Sequence, residues 1–310
     1  MQHSLKNPFT LRGIGLHSGA DVTLTVKPAA ADEGIVFVRS DITNKDNLIP
    51  ASWDHVEHTT LCTVIANESG VKIQTIEHLM AALRGCRIDN AVIELNGPEV
   101  PSLDGSSQFF VSEIEKSGFI SQNKPRRAIR VLKEVRFEKD DKMVMLSPCP
   151  VPKFTGVIDY DHPLIGRQEF TTTLLKGNFA HDLAATRSFC LFEDIQAMRD
   201  MGLIKGGSLD NAIVLEGKRV LNPGGLRFKD EFVRHKILDA VGDLYLAGAP
   251  VIGAYYGERG GHEMNNLLLH TLFDTPDSYE WVEDEPGFEK SSTHILSVAT
   301  NPVHKSSVSG

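Results

Sequence analysis

The chain has 310 residues and a formal net charge of −9, with 41% hydrophobic and 24% charged residues. This composition is typical of a globular protein with room for two domains, and the negative charge excludes broad nucleic-acid binding but permits a local basic patch. Because the first residues lack the apolar run of a signal peptide and no stretch is long enough to span a membrane, we expect a cytoplasmic protein without membrane insertion.

The four cysteines, Cys62, Cys86, Cys149 and Cys190, show no Cys-x-x-Cys spacing. Neither a zinc knuckle nor a disulfide framework is therefore indicated. We expect reduced and mostly buried thiols.

The first part of the chain predicts strands at residues 21–27 and 34–39, which we interpret as partners across a loop. A glycine-rich segment at 13–19 precedes them and predicts a turn. Its His17 is either structural or lines a pocket. Residues 59–66 are also rich in β-forming side chains.

A helix is predicted over residues 74–85, with Thr75 as its N-cap and Gly85 at its end. Glu77 and His78 then lie in its first turn, where an isolated pair of this kind can be a cap and nothing more. A strand at 88–95, a loop at 98–106 and a helix at 108–116 that ends at Gly118 are expected to follow.

A basic, proline-bearing segment at 123–127 is the candidate linker, so we expect domains at 1–124 and 125–283. Strands at 128–137, 142–146 and 154–160, an amphipathic segment at 192–201 and a strand at 209–216 are predicted beyond it. A strand at 251–256, a glycine-rich loop at 257–262 and a last helix at 265–273 complete the second part. The tail at 284–310 is expected to be poorly ordered.

An internal similarity links the two parts of the chain. The strand at 88–94 nearly repeats at 209–216, displaced by 121 positions (210 − 89), and the same displacement carries the helix at 108–116 onto a helix around His235. We interpret this as two related α+β halves.

The predicted helix over residues 232–244 carries an apolar stripe and, beside it, His235, Asp239 and Asp243 at intervals of four. An imidazole and a carboxylate at this spacing can hold one metal ion, although such a stripe is more often a solvated surface. Combined with His78, the two groups would form a three-ligand zinc site with an open position for water. Glu77 could then act as the base and His262 as the acid.

The chain resembles the zinc-dependent UDP-3-O-acyl-N-acetylglucosamine deacetylases, which catalyse the committed step of lipid A biosynthesis. The resemblance rests on motifs in the same order along nearly the whole chain. They are the glycine-rich segment at 13–19, Thr-Ile-Glu-His at 75–78, Pro-Ser-Leu-Asp-Gly-Ser at 101–106, Lys-Gly-Gly-Ser at 205–208, the segment at 226–239 that ends in His-Lys-Ile-Leu-Asp, and Gly-His-Glu-Met-Asn-Asn at 261–266.

The resemblance implies one catalytic Zn²⁺, replaceable by Fe²⁺ in the cell, with His78, His235 and Asp239 as ligands. It also implies that Glu77 is the base and that His262 is the electrostatic stabiliser or general acid. Three further residues are implied to support Glu77 and His262. Asp243 is expected to orient His262, and Lys236 and Ser188 are expected to help bind the substrate or stabilise the oxyanion. Ser188 replaces the family's usual threonine and keeps the hydroxyl.

Substrate contacts are also implied by the resemblance. An apolar passage for the fatty acyl chain is expected to involve Phe189, Phe192, Ile195 and Ile204, although an ordinary amphipathic helix would show the same pattern. Ile204 replaces the usual cysteine, which leaves the acyl-length preference open. Further substrate contacts are expected at Cys62 and Ser208 and, near the nucleotide, at Lys142, Asp159, Tyr160 and Arg259.

The expected fold is therefore α+β, with two related sandwich domains whose sheets pack against helices and with the active site in the cleft between them. The expected protein is a monomeric enzyme that acts on an acylated UDP-sugar. Two alternatives stay open: a zinc amidase of the same scaffold with a different acylated sugar nucleotide as substrate, and a non-catalytic lipid- or nucleotide-binding protein.

Overall fold

The computed structural model describes residues 1–175 and 177–283 of the chain. The first part contains helices α1 (Glu77–Gly85) and α2 (Gln108–Ser117). Its strands are β1 (His3–Leu5), β2 (Phe9–Ile14), β3 (Asp21–Pro28), β4 (Ile35–Arg39), β5 (Leu48–Pro50), β6 (Val56–His58), β7 (Val64–Ala66), β8 (Lys72–Ile73), β9 (Ala91–Leu95) and β10 (Phe119–Ser121).

The second part contains helices α3 (Ile195–Asp200), α4 (Glu231–Tyr245) and α5 (His262–Asp274). Its strands are β11 (Arg127–Val131), β12 (Val135–Lys139), β13 (Lys142–Ser147), β14 (Lys153–Tyr160), β15 (Gly166–Thr173), β16 (Phe189–Leu191), β17 (Ile213–Glu216), β18 (Arg219–Val220), β19 (Val251–Ile252), β20 (Ala254–Glu258) and β21 (Tyr279–Glu283). Single helical turns occur at Trp53–His55, Phe179–Leu183 and Phe192–Asp194.

Two five-stranded sheets share one topology. In the first, the strand order is β2-β3-β9-β4-β5, with β3 antiparallel to β9 and β4 parallel to it. In the second, the order is β12-β13-β20-β14-β15, with β13 antiparallel to β20 and β14 parallel to it. In each, a strand from later in the chain enters between two earlier hairpins. The prediction of two related α+β halves is confirmed by this shared pattern.

The predicted correspondence between the halves was wrong. By its position in the sheet, β9 is equivalent to β20, and α1 is equivalent to α4. The sequence had instead predicted β17 as the equivalent of β9, and β17 lies in the separate three-stranded sheet β16-β17-β18. The residues that are alike in sequence make different contacts in the two segments. The amide group of Asn90 donates to Gln2 and Gln122, whereas that of Asn211 donates to Ser102 and Gly206.

Several element boundaries also differ from the predictions. β4 is not the direct partner of β3, because β9 lies between them. The predicted strand at 128–137 is divided into β11 and β12, which belong to different sheets, and within 59–66 only Val64–Ala66 is a strand. The helix at 108–116 is confirmed, extends to Ser117, and is followed by Gly118 with φ of 73°.

Thr75 is not the N-cap of α1. The capping position is Ile76, and Thr75 lies before it. Thr75 has φ of +58°, a left-handed backbone conformation that is energetically unfavourable for threonine. Its hydroxyl donates to Glu99 Oε1 at 2.8 Å. That buried carboxylate also accepts from the backbone amides of His17 and Ser18, so it joins the glycine-rich turn to the start of α1.

The helices α1 and α4 pack against each other, and buried residues of both halves share one large core, while a smaller separate cluster in the second half includes Phe232 and Val233 of α4. Gly242 on α4 permits this contact, because an added Cβ would lie 2.0 Å from the carbonyl oxygen of Glu77. On another face of α4, Ile237 packs against Gly156 of β14. The fold therefore brings the first turn of α1 against the middle of α4, at the cleft between the two halves.

In the described ranges, no helix combines the length and the apolar character needed to cross a membrane. The tail at 284–310, for which poor order was predicted, lies outside the described residues. The division of the chain between residues 124 and 125 stays a prediction.

Candidate active site

The polar face of α4 is buried. His235, Asp239 and Asp243 are each exposed by less than 5%, as are Ile237 and Val241 on the apolar stripe. Groups that ionise are rarely buried unless they are paired or bind a metal. The interpretation of this stripe as a solvated surface is therefore excluded.

His78, His235 and Asp239 converge in a buried cluster whose ligand atoms all lie within 4.8 Å of one another. Asp239 Oδ1 is 3.3 Å from His78 Nε2 and 3.5 Å from His235 Nε2. Two ligand atoms bound to one Zn²⁺ at about 2.1 Å and a tetrahedral angle lie about 3.4 Å apart. The observed separations therefore fit a shared metal ion.

The hydrogen bonding of these three residues also fits a metal. Asp239 Oδ1 is buried but makes no hydrogen bond within the described part of the chain, whereas Oδ2 accepts from Lys236 Nζ at 3.0 Å. His235 Nδ1 lies 3.4 Å from the carbonyl oxygen of Thr186, which favours Nε2 as the free ligand atom. Burial lowers the pKa of His235 to about 3, so its imidazole is neutral, as metal binding requires.

Glu77 lies beside this cluster at the start of α1 and is 3% exposed. Its Oε2 accepts a hydrogen bond of 3.0 Å from the backbone amide of Thr63, and its Oε1 lies 3.9 Å from His262 Nε2. Burial raises the pKa of Glu77, while His262 and His78 partly oppose that shift. A carboxylate with a raised pKa next to a metal site suits a general base.

His262 forms a pair with Asp243. Its Nδ1 lies 2.9 Å from Asp243 Oδ2, which also accepts from Asn265 Nδ2 at 2.8 Å. Burial alone would lower the pKa of His262, but the charges of Asp243 and Glu77 outweigh it and raise this pKa to about 9. The imidazole is therefore protonated at neutral pH and can donate a proton from Nε2, on the side of Glu77.

Ser188 is held by two backbone hydrogen bonds, one to the first half and one within the second. Its amide donates to the carbonyl oxygen of Gly105 at 3.0 Å, and its carbonyl accepts from the amide of Ile213 at 2.7 Å. Gly105 has φ of +78°, and an added Cβ there would lie 2.1 Å from Asn211 O, so only glycine fits. The loop at 101–106 therefore places Ser188 at the cleft.

A cavity of about 700 Å³ opens over these groups. Most of the predicted site residues line it. They are Glu77, His78, Lys142, Tyr160, Ser188, Phe189, Phe192, Ile195, Ile204, Ser208, His235, Lys236, Asp239 and His262. The catalytic candidates and the candidates for the acyl passage therefore share one continuous space.

The chain matches the family model described as LpxC, UDP-3-O-acyl N-acetylglycosamine deacetylase, over residues 2–274. It belongs to this family. A relative from Phenylobacterium zucineum (strain HLK1), named UDP-3-O-acyl-N-acetylglucosamine deacetylase, is 45% identical over 278 residues, which cover 90% of this chain and 95% of the relative. Relatives of the same name from Haemophilus influenzae (strain PittEE) and Shewanella violacea are each 43% identical over 286 residues, covering 92% of this chain and 93% of theirs.

In this member of the LpxC family, the apolar part of the cavity is built by β16, α3 and the segments around them. The ring of Phe189 packs edge-on against Phe232 at 5.0 Å and Tyr160 at 5.8 Å. Sequence reasoning missed several apolar residues of the same wall, among them Leu191, Met198 and Val214. Val214 lies on the central strand of a three-stranded sheet, and the continuous apolar run at 212–215 gave no sign of which face meets the cavity.

Ile204 has φ of +47°, a left-handed conformation that is rare for a β-branched side chain. Its carbonyl accepts from the amide of Gly207, and an added Cβ at Gly207 would lie 3.2 Å from that carbonyl oxygen. The turn therefore holds a strained residue in the wall of the cavity, where strain often accompanies function.

Four predicted site residues do not line the cavity. Asp243 contacts Nδ1 of His262, which does line the cavity. Cys62 is 2% exposed, and burial raises the pKa of its thiol to about 12. Arg259 donates to Asp159 Oδ2 at 2.8 Å and also pairs with Asp141, so its charge is engaged by two carboxylates. The predicted substrate contacts of Cys62, Asp159 and Arg259 stay predictions.

Three polar residues near the site were not assigned a catalytic role from the sequence. His17 is buried and lines the cavity, and neither ring nitrogen has a hydrogen-bond partner in the ranges described. Thr63 donates to both Glu77 and Asp243. Glu99 holds Thr75 and the turn at 13–19. The glycine-rich motif pointed to His17, but no local pattern pointed to Thr63.

Proposed function

We propose that this protein hydrolyses the N-acetyl group of UDP-3-O-acyl-N-acetylglucosamine, giving UDP-3-O-acyl-glucosamine and acetate in the committed step of lipid A biosynthesis. The observation that carries this proposal is the buried convergence of His78, His235 and Asp239 with Glu77 and His262 at one apolar cavity. An amide hydrolase needs an electrophilic centre, a base and an acid within reach of one carbonyl group.

The metal we propose is one Zn²⁺ held by His78, His235 and Asp239. When bound, such an ion lowers the pKa of water and polarises the acetamide carbonyl group. Two imidazoles and one carboxylate also form the ligand set of many Fe²⁺ sites, so Fe²⁺ is proposed as a replacement in the cell. The buried Oδ1 of Asp239, which accepts no hydrogen bond in the described part of the chain, supports a cation at this position.

Glu77 is proposed to remove a proton from the attacking water. Its raised pKa and its buried location bring its basicity closer to that required at neutral pH. His262, which Asp243 keeps protonated, is proposed to stabilise the developing negative charge and then to protonate the departing amine. Because Glu77 and His262 lie 3.9 Å apart, they titrate as a coupled pair.

Ser188 and Lys236 are proposed to help bind the substrate and stabilise the oxyanion. Both line the cavity; burial alone would lower the pKa of Lys236, but the charge of Asp239 and its hydrogen bond to Lys236 outweigh burial and raise that pKa. Lys236 is therefore a cation beside the reacting group. A fixed cation in a site that excludes much of the water stabilises an oxyanion more than one in bulk solvent.

The acyl chain is proposed to lie along the apolar wall formed by Phe189, Phe192, Ile195 and Ile204. Lys142 and Tyr160, with Arg259 and Asp159 at the outer end of β14 and β20, are proposed to face the nucleotide. A lysine supplies a point charge for a diphosphate, and a tyrosine ring supplies a stacking surface. Ser208 and Cys62 are proposed as further substrate contacts.

We further propose that the protein is a cytoplasmic monomer with domains at 1–124 and 125–283 and that it does not bind nucleic acid. The net charge of −9 supports the last point. The shared topology of the two five-stranded sheets supports the division into domains.

The decisive experiment is acetate release by purified, metal-quantified protein from UDP-3-O-acyl-N-acetylglucosamine substrates of graded acyl length. UDP-N-acetylglucosamine without an acyl chain serves as the comparison substrate. We expect turnover of the acylated substrates and little turnover of the comparison substrate, because the apolar wall would be empty. Equal turnover of both would contradict the proposed substrate, and no acetate from any of them would contradict the proposed reaction.

A further inference from the structure

Thr63 connects two of the carboxylates of the site, those of Glu77 and Asp243. It lies directly before β7 and is 2% exposed. Its backbone amide donates to Glu77 Oε2 at 3.0 Å, and its hydroxyl donates to Asp243 Oδ1 at 2.6 Å. One residue of the first half therefore hydrogen bonds to the carboxylate on α1 and to the carboxylate on α4.

The second carboxylate is fixed from both sides. Asp243 Oδ1 accepts from Thr63, while Oδ2 accepts from Asn265 Nδ2 and lies 2.9 Å from His262 Nδ1. Asn265 is held in turn by the hydroxyl of Tyr255, which donates to its Oδ1 at 2.7 Å. All of these groups are buried, where hydrogen bonds to a charged acceptor are short and strong. The direction of the Asp243 carboxylate therefore depends on Thr63 as well as on Asn265.

We propose that Thr63 is a positioning residue for the deacetylation, which sets the placement of Glu77 relative to the His262–Asp243 pair. This inference rests on the roles proposed for Glu77 and His262. A base and an acid that act on the same carbonyl group must each lie within a few tenths of an ångström of the productive position. The two carboxylates lie on different helices, and Thr63 bridges them.

The same segment also contributes to the wall of the cavity. Thr59 and Leu61 line the cavity, and Leu61 is half exposed, with a left-handed φ of +62°. Two residues further along, Thr63 is buried against Glu77 and Asp243. The loop at 59–63 therefore joins a surface available to the substrate to the two catalytic carboxylates.

The test is the replacement of the hydroxyl alone. Thr63→Val keeps the backbone amide that binds Glu77 and the shape of the side chain, but leaves Asp243 Oδ1 without this donor. We expect kcat for acetate release to fall about 10- to 100-fold, as for the loss of a hydrogen bond to a buried charge. The KM and the metal content should not change, and Thr63→Ser should restore most of the lost kcat because it restores the donor.

The matched control is Thr172→Val. The Thr172 hydroxyl donates to Asp182 Oδ2 at 2.6 Å, and Thr172 is also buried, but neither residue lines the cavity. This variant loses an equally short bond between a threonine and an aspartate, so its kcat should not change. If Thr63→Val does not fold, Thr63→Cys replaces it, since a thiol is a much weaker donor.

An unchanged kcat in the folded Thr63→Val or Thr63→Cys protein would overturn the proposal. So would an equal loss in Thr63→Ser, because that variant retains the hydroxyl. Glu77→Ala, measured in parallel, separates this result from the proposed function. If Glu77→Ala keeps its turnover, the role proposed for the base fails whatever Thr63 does.

Discussion

The loss of kcat/KM at alkaline pH should report the pKa of His262, which is paired with Asp243. The pKa of His262 is about 9 because Asp243 and Glu77 outweigh the effect of burial. A histidine that acts in its protonated form is active below this pKa and loses activity as the pH rises through it. Asp243→Asn removes the nearer negative charge, on a carboxylate 2.9 Å from Nδ1, while keeping the size of the side chain. We therefore expect the pKa of His262 to fall to its ordinary value of about 6.5, or below.

The size of the effect follows from the two pKa values. At pH 8, about nine-tenths of His262 is protonated with a pKa of about 9, but only about one-thirtieth with a pKa of about 6.5. Protonation alone should therefore lower kcat/KM by a factor of about 30 at pH 8, with a much smaller loss near pH 6.

The assay is acetate release as a function of pH, with kcat/KM measured because it reports the free enzyme. Asp182→Asn is the control, since Asp182 accepts a partly buried hydrogen bond from Thr172 but does not line the cavity. Its profile should match that of the unsubstituted protein. If the alkaline limb stays near pH 9 in Asp243→Asn, the reasoning is refuted, because the pKa of the group that titrates there would not be raised by Asp243.

Three further substitutions test the base, the metal and the acyl wall. Glu77→Ala should retain the metal but lose at least about 100-fold in turnover; acetate release near the normal rate would contradict the role of the base. His78→Ala should lower the metal content measured by elemental analysis, because one of three ligands is lost; unchanged stoichiometry would exclude it as a ligand. Ile204→Ala should shift the ratio of kcat/KM values toward longer or bulkier acyl chains, since it widens the wall; an identical ratio would place Ile204 outside the acyl path.

The sequence predicted best what lies within a single helix. His235 and Asp239 are four residues apart, so helical periodicity alone puts them on one face and within reach of one ion. The third ligand, His78, lies more than 150 residues away in the sequence. Periodicity cannot bring it there, and its placement was expected from the chemistry of the three side chains together with the family's motifs.

The wrong predictions came from local signals that tertiary contacts override. Thr75 has the chemistry of an N-cap, but its hydroxyl serves the buried Glu99 instead. The copies around Asn90 and Asn211 have nearly the same sequence, yet they lie in sheets of different topology. Thr63 has no distinctive neighbours, and its importance follows only from the meeting of Glu77 with Asp243.

The site depends on how closely the two halves meet. Gly242 lets α4 approach the backbone of Glu77 on α1. The amide of Ser188 in the second half donates to Gly105 in the first. With the roles proposed above, the first half supplies Glu77 and one metal ligand, and the second supplies the other two ligands and His262. A small displacement of α1 against α4 would then separate the proposed base, metal ligands and acid together. Neither half holds all of the proposed groups, and the proposed chemistry therefore depends on the contact between the two helices.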